Sequence, residues 1–167
     1  MIQPITDKIE VAMAALISGM RTTGGYNFSW SLTDEEDISI GEFPRAVINP
    51  TDSLADKETN MDTVAGIGSL DYTNEVLFTI LVIGELDTTS TNPNFAIRSN
   101  LRKALDDLKM LFGVNYTVND TCDSLLYKGS QIEIIKRNDV QRPGQLRTIW
   151  SAVYSQGRIN PSVRAGS

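Results

Sequence analysis

The spacing of apolar and polar positions along this chain predicts two helices and five strands. The most informative stretch is Glu-Val-Leu-Phe-Thr-Ile-Leu-Val-Ile at residues 75–83, almost unbroken apolar and rich in β-branched residues. Such a run, followed by a polar loop, is the pattern of a central strand covered on both faces. Val76, Phe78, Ile80 and Val82 point one way, and Leu77, Thr79, Leu81 and Ile83 the other. A strand hidden on both faces needs a layer on each side. The chain supplies two amphipathic helices, one before the strand and one after.

The first helix is expected over residues 5–20, where Ile5, Ile9, Ala12, Leu16, Ile17 and Met20 recur at helical spacing. Pro4 stands where its missing N–H costs little, and Gly24-Gly25 closes the segment. Tyr26, Phe28 and Trp30 alternate with Asn27 and Ser29 as in a half-buried strand whose aromatics feed the core. A second short strand, Phe43-Pro44-Arg45-Ala46-Val47-Ile48, begins at a proline and so belongs at or near a sheet edge. Residues 49–69 form a long polar stretch, too long for a structureless loop in a small domain. It is either disordered or an arm or hairpin that orders on a partner, and Leu54, Met61, Val64 and Ile67 favour the second.

The second helix starts at Asn92-Pro93 and stops at Gly113. Its stripe is Ile97, Leu101, Ala104, Leu105, Leu108, Leu111 and Phe112, with Arg102–Asp106 and Lys103–Asp107 expected as pairs on the wet side. Residues 116–118 could add a short strand. Strands at 131–137 and 146–155 flank a turn at Pro143-Gly144 and should form an antiparallel hairpin. The expected order is α-β-β-β-α-β-β, an α+β domain with a mostly antiparallel sheet over residues 1–155 and a flexible C-terminal arm at 156–167.

Composition narrows the function classes. A chain of 167 residues with 41% hydrophobic and 22% charged residues suits one globular domain. Its net charge is −6, a poor prior for tight nucleic-acid binding. The sign is uneven: residues 1–127 hold 8 basic and 19 acidic side chains, and residues 128–167 hold 7 basic and 2 acidic. Opposite ends of opposite sign can steer neighbouring copies into head-to-tail contact. The late basic residues include Arg142, Arg147, Arg158 and Arg164, candidates for a basic arm contact.

Catalytic chemistry is thinly provided. There is no histidine, hence no His general base, nucleophile-activating His or His metal ligand. One cysteine, Cys122, allows neither an intrachain disulfide nor a cysteine metal cluster. No phosphate loop is recognisable, because Gly66-x-Gly68 lacks the strand-turn-helix setting. Asp34, Glu35, Glu36 and Asp37 are four adjacent carboxylates, but their spacing fits no calcium loop, and a solvated loop is the plainer account. Asp106-Asp107 do not converge as metal ligands on a helix. The expectation is a non-enzyme with no cofactor and no metal. No signal-peptide layout and no membrane-spanning run is present, and three Asn-x-Ser/Thr matches are read as chance.

The order of these features resembles the tail-terminator (tail-completion) proteins of long-tailed bacteriophages. The likeness rests on the first helix, the Phe43-Pro44-Arg45-Ala46-Val47-Ile48 strand, the long loop and the apolar strand 75–83. It continues through the helix ending at Phe112 and the aromatic-alternating Ile149-Trp150-Ser151-Ala152-Val153-Tyr154. The resemblance implies a virion protein, made in the bacterial cytoplasm, that forms a ring, usually hexameric. Such a ring caps the tail tube, stops its polymerisation and docks the head connector, with double-stranded DNA passing through the lumen unbound. On that footing Asp34, Glu35, Glu36 and Asp37 are expected at the lumen or a ring interface. Leu54, Met61, Val64 and Ile67 are expected in an inter-subunit loop, with tail tube protein and head-completion protein as partners. Another neck or head-completion protein is the nearest alternative. A small-ligand regulatory domain and a metal-dependent hydrolase follow.

Overall fold

The computed structural model describes residues 3–34, 43–48, 57–60, 71–86, 92–134 and 142–157. For residues 57–60, 71–72, 85–86, 142–143 and 156–157 it describes the backbone alone. The chain is an α+β domain. Helix α1 (Ile5–Ser18) leads through a 3-10 turn (Thr22–Gly24) to β1 (Ser31–Leu32), β2 (Arg45–Ile48), β3 (Lys57–Asn60) and β4 (Asp71–Leu86). Helix α2 (Pro93–Val114), β5 (Ser124–Ile134) and β6 (Arg142–Gly157) follow.

The sheet runs β1-β2-β4-β6-β5, antiparallel except where β1 lies parallel to β2. β4 and β6 pair over all 16 residues, from Asp71 opposite Gly157 to Leu86 opposite Arg142. At ~3.4 Å per residue that ribbon is about 50 Å long. β4 therefore extends beyond the apolar run 75–83, because pairing with β6 satisfies its backbone in the more polar flanks. β2 and β3 share the other edge of β4: β2 pairs with Ile80–Ile83, and β3 with Asn74–Leu77. β3 falls inside the long polar stretch, which thus carries strand structure of its own. Leu54, Met61, Val64 and Ile67 lie outside the described residues.

Both helices pack on the same sheet face, rather than one on each. Ile5, Ile9, Met13 and Ile17 of α1 join Ile97, Leu101, Ala104, Leu108, Leu111 and Phe112 of α2 over Val76, Phe78, Ile80 and Val82. α1 lies over β1 and β2, and α2 over β4, β5 and β6. The opposite face holds a separate buried cluster of Val47, Leu81 and Ile83, to which no helix residue belongs. Alternation along β4 holds as expected; what the sequence could not say is that one face takes both helices.

Three local departures have physical causes. The segment of Tyr26, Phe28 and Trp30 is not a strand; the strand begins one residue later, at Ser31. Its aromatics still reach the core, because the Trp30 N–H donates to the Met20 carbonyl at 3.1 Å and closes the excursion after α1. Arg21 clamps the same excursion, donating from Nη1 to the carbonyls of Ser18 at 2.6 Å, Met20 at 2.7 Å and Trp30 at 3.2 Å. A cation there also complements the carbonyl end of α1. Residues 116–118 form no strand. Val118, Asn119 and Asp120 have φ of 48°, 55° and 61°, a left-handed turn after α2. The Thr121 hydroxyl donates to the Val118 carbonyl at 2.7 Å, and the turn seats Val118 in the core. The antiparallel hairpin forms, but Pro143-Gly144, expected in its turn, lie within β6 opposite Glu85 and Gly84, because the partner strand β4 continues past them to Leu86. Both strands are also longer than expected at their outer ends: β5 starts at Ser124, and β6 runs to Gly157, into the segment expected as the arm.

Phe43-Pro44 is a cis peptide just ahead of β2. Phe43 lies edge-on to Phe28, with ring centroids 5.2 Å apart and an 88° interplanar angle. Gly84 permits this arrangement. A Cβ built there would stand 2.7 Å from both Cα and Cβ of Phe43, and Gly84 has φ 153°. Proline thus leads into a strand one step from the sheet edge, as the sequence required.

Candidate functional site

Asp107 of α2 is a buried, heavily bonded side chain. It is 1% exposed, not paired with Lys103 on the wet side. Oδ1 accepts from the Asn27 N–H at 2.8 Å and from Asn27 Nδ2 at 2.9 Å. Oδ2 accepts from the Phe28 N–H at 3.1 Å and from Trp30 Nε1 at 3.0 Å. Asn27 Nδ2 also donates to the Lys103 carbonyl at 3.3 Å. Four donors arranged around one carboxylate satisfy a charge that would otherwise be costly to bury. The arrangement fixes the segment before β1 against α2. Four donors fill the roughly four acceptor sites of a carboxylate.

The reason for the inward turn lies in the helix geometry. At 3.6 residues per turn Asp107 stands about 40° from Leu111 and about 60° from Ala104, on the border of the buried stripe. A border carboxylate goes inward when donors await it there. The signal in the sequence was Trp30, a large aromatic whose indole N–H needs an acceptor once buried.

Other polar groups within the sheet follow the same logic. Thr148 donates to the Ile80 carbonyl at 3.1 Å and accepts from Trp150 Nε1 at 2.8 Å. On the other face Ser151 donates to Glu75 Oε1 at 2.5 Å. Ser155 donates to Asp123 Oδ2 at 3.0 Å. Apart from Asp123, which directly precedes β5, these residues sit on strands. Among the described residues no group of three or more acidic, cysteine or histidine side chains could hold a metal ion. None of the described helices is long and apolar enough to cross a membrane.

Of the residues singled out in the sequence, Asp34 is exposed just past the end of β1. Glu35, Glu36, Asp37, Arg158 and Arg164 lie outside the described residues. Arg142 and Arg147 are strand residues of β6. Arg142 stands opposite Leu86, and Arg147 is half-buried between Leu81 and Gln131. The described surface has one feature that the sequence reading passed over, the outward side of α2. Arg98, Arg102, Lys103 and Lys109 are exposed there, with Phe95 67% and Val114 78% exposed. Lys109 reaches back over the Tyr127 ring, with Nζ 4.5 Å from its centroid. A shallow depression lined by Asn92, Pro93, Asn94, Phe95 and Arg98 lies at the start of this helix.

These features define an α+β domain with exposed cations along the outer side of α2. Comparison with models of known protein families and with curated protein sequences finds no match.

Proposed function

We propose that this chain is a tail terminator of a long-tailed bacteriophage, a structural virion protein without catalytic activity. Copies close into a ring, hexameric on the family pattern, that caps the tail tube and halts its growth. The ring then joins the tail to the head connector, and double-stranded DNA passes through its lumen. The observation that carries this reading is the order of elements in one sheet. A helix precedes a strand led by Phe43-Pro44, then come the long apolar β4, the long α2 and the β5–β6 hairpin ending in alternating aromatics.

Charge supports it. A net −6 chain disfavours tight duplex binding, which suits a lumen that DNA must slide through. A closed ring needs a heterologous interface, and segregated charge supplies a means of forming one.

The test is tube growth. Tail tube protein polymerised with and without this chain is imaged by negative-stain electron microscopy, while light scattering follows the mass of the free chain. The expected result is tubes of limited length with a ring at one end. Tubes that lengthen unchanged and carry no added density would overturn the reading. Density on isolated connectors but never on tubes would move the assignment to a head-completion protein.

A further inference from the structure

The outer edge of β5 is closed along its first half and open along its second. β5 is a terminal strand of the sheet. Near its start the Leu125 N–H points away from β6 and donates to the Tyr116 carbonyl at 2.7 Å. The pairing then shifts between Tyr127 and Gly129, which leaves exposed Lys128 as the extra residue of a bulge. A bulge and a lysine are two devices that keep a bare edge from recruiting another strand. Beyond them Gly129-Ser130-Gln131-Ile132-Glu133-Ile134 pairs regularly with β6 to the end of the strand.

The register says which backbone groups of that half face outward. The Asp123 N–H donates to the Val153 carbonyl at 2.8 Å, so Val153 directs its backbone toward β5. β6 pairs with β4 without irregularity, so every second residue from Val153, including Ile149, Arg147 and Gln145, does the same. Opposite these three stand Gly129, Gln131 and Glu133. Ser130, Ile132 and Ile134 therefore direct their N–H and C=O groups away from β6. Among the described residues no backbone pairs with those groups.

α2 sets a row of cations above this edge. Lys109 Nζ stands 4.5 Å from the centroid of the Tyr127 ring on β5, so the Lys109 side of the helix is the side toward β5. Arg102 and Arg98 precede Lys109 by seven and eleven residues, which places each within about 20° of it around the helix. All three are exposed. The row spans about 16 Å of helix, and the open half of β5 spans about 17 Å. Asp107 turns inward, and Asp106 stands about 60° from Lys109 around the helix, so no carboxylate of α2 interrupts the row.

We propose that the open half of β5 accepts an extended segment of a partner protein as an added strand. Main-chain bonds to Ser130, Ile132 and Ile134 hold that strand, and carboxylates at every second position of it face Arg98, Arg102 and Lys109. A second copy presenting its own β5 is the poorer occupant, because a two-fold pairing would set two such cation rows side by side. The contact joins different chains and does not rest on the ring proposed above.

The test titrates the full-length chain into a labelled peptide, acetyl-Thr-Glu-Val-Glu-Val-Glu-Thr-amide, and follows fluorescence anisotropy. A second peptide replaces the glutamates by lysines, and a third keeps the glutamates but replaces both valines by prolines, which cannot continue a ladder. The first peptide is expected to bind, and the other two at least about tenfold more weakly. R98E/R102E and Ser130→Pro should each weaken the first peptide by about tenfold or more, with circular dichroism and urea melts establishing that both variants fold. The proline peptide makes the same test of the ladder without altering the protein. Amide exchange read by NMR should slow at Ser130, Ile132 and Ile134 when the first peptide is added. Absence of binding up to about 1 mM overturns the proposal. A proline peptide that binds as well as the first, or exchange at those three amides that does not change, overturns it in favour of charge attraction alone. A wild-type dimer in sedimentation that Ser130→Pro abolishes overturns it in favour of a second copy.

Discussion

Removing the Asp107 carboxylate tests how the helix layer is joined to the segment before β1. Asp107→Ala leaves the buried Trp30 Nε1 without an acceptor, which costs about 1–3 kcal/mol. The bonds from the Phe28 N–H and from the two Asn27 donors are part-buried, and those donors recover part of their bonding from water. The four bonds share one carboxylate and do not add independently. Their joint loss, with the small void left behind, is set at about 3 kcal/mol. Asp107→Asn keeps one acceptor oxygen but turns an NH₂ toward two donors, so about 2 kcal/mol is expected. Urea unfolding followed by tryptophan fluorescence measures both. With an m-value of about 2 kcal/mol/M, the alanine variant should lose about 1.5 M from its midpoint. Trp30→Phe in a double-mutant cycle should return a coupling of about 1–2 kcal/mol with Asp107→Ala. A midpoint within about 0.3 M of wild type, or a coupling near zero, would refute the account.

Gly84→Ala places a Cβ 2.7 Å from the Phe43 backbone at φ 153°, and should lower stability by about 2 kcal/mol or more in thermal or urea melts. Thr79 is fully buried and its Oγ1 has no partner among the described residues, so Thr79→Val should raise stability by about 1 kcal/mol. Asn119, exposed at φ 55°, should accept glycine without loss, while Asn119→Val should cost about 1–2 kcal/mol; equal midpoints for the two would contradict the left-handed turn. Phe112→Ala removes a ring 4.9 Å from that of Trp150 and should cost about 3–5 kcal/mol, read by the same melts.

Where periodicity was long, the sequence was readable. Ile97, Leu101, Ala104, Leu108, Leu111 and Phe112 repeat over several turns, and α2 follows them from Pro93 past Gly113 by one residue. The alternation Leu146-Thr148-Trp150-Ala152-Tyr154 likewise faces the helices, with Thr148 satisfied through Ile80 and Trp150. Short elements were harder, because two or four residues carry no period. β3 hides in a polar stretch and exists through its pairing with residues 74–77 of β4, a tertiary fact. The turn at Val118 is harder still: a buried β-branched residue at φ 48° runs against local preference, and only the core that Val118 fills explains it.

The surface of α2 was misjudged for a related reason. Spacing alone pairs Lys103 with Asp107 and Arg102 with Asp106, so the helix looks electrostatically balanced. Burial of one side chain changes that balance. Once Asp107 serves Asn27, Phe28 and Trp30, Lys103 loses its i+4 carboxylate, and three exposed cations remain around Asp106 in addition to Lys109. The carboxylate that joins the layers is thus the one whose absence from the surface makes that surface cationic. Charge counted along a helix describes its outer face only after the core has taken its share, and here the core takes an anion.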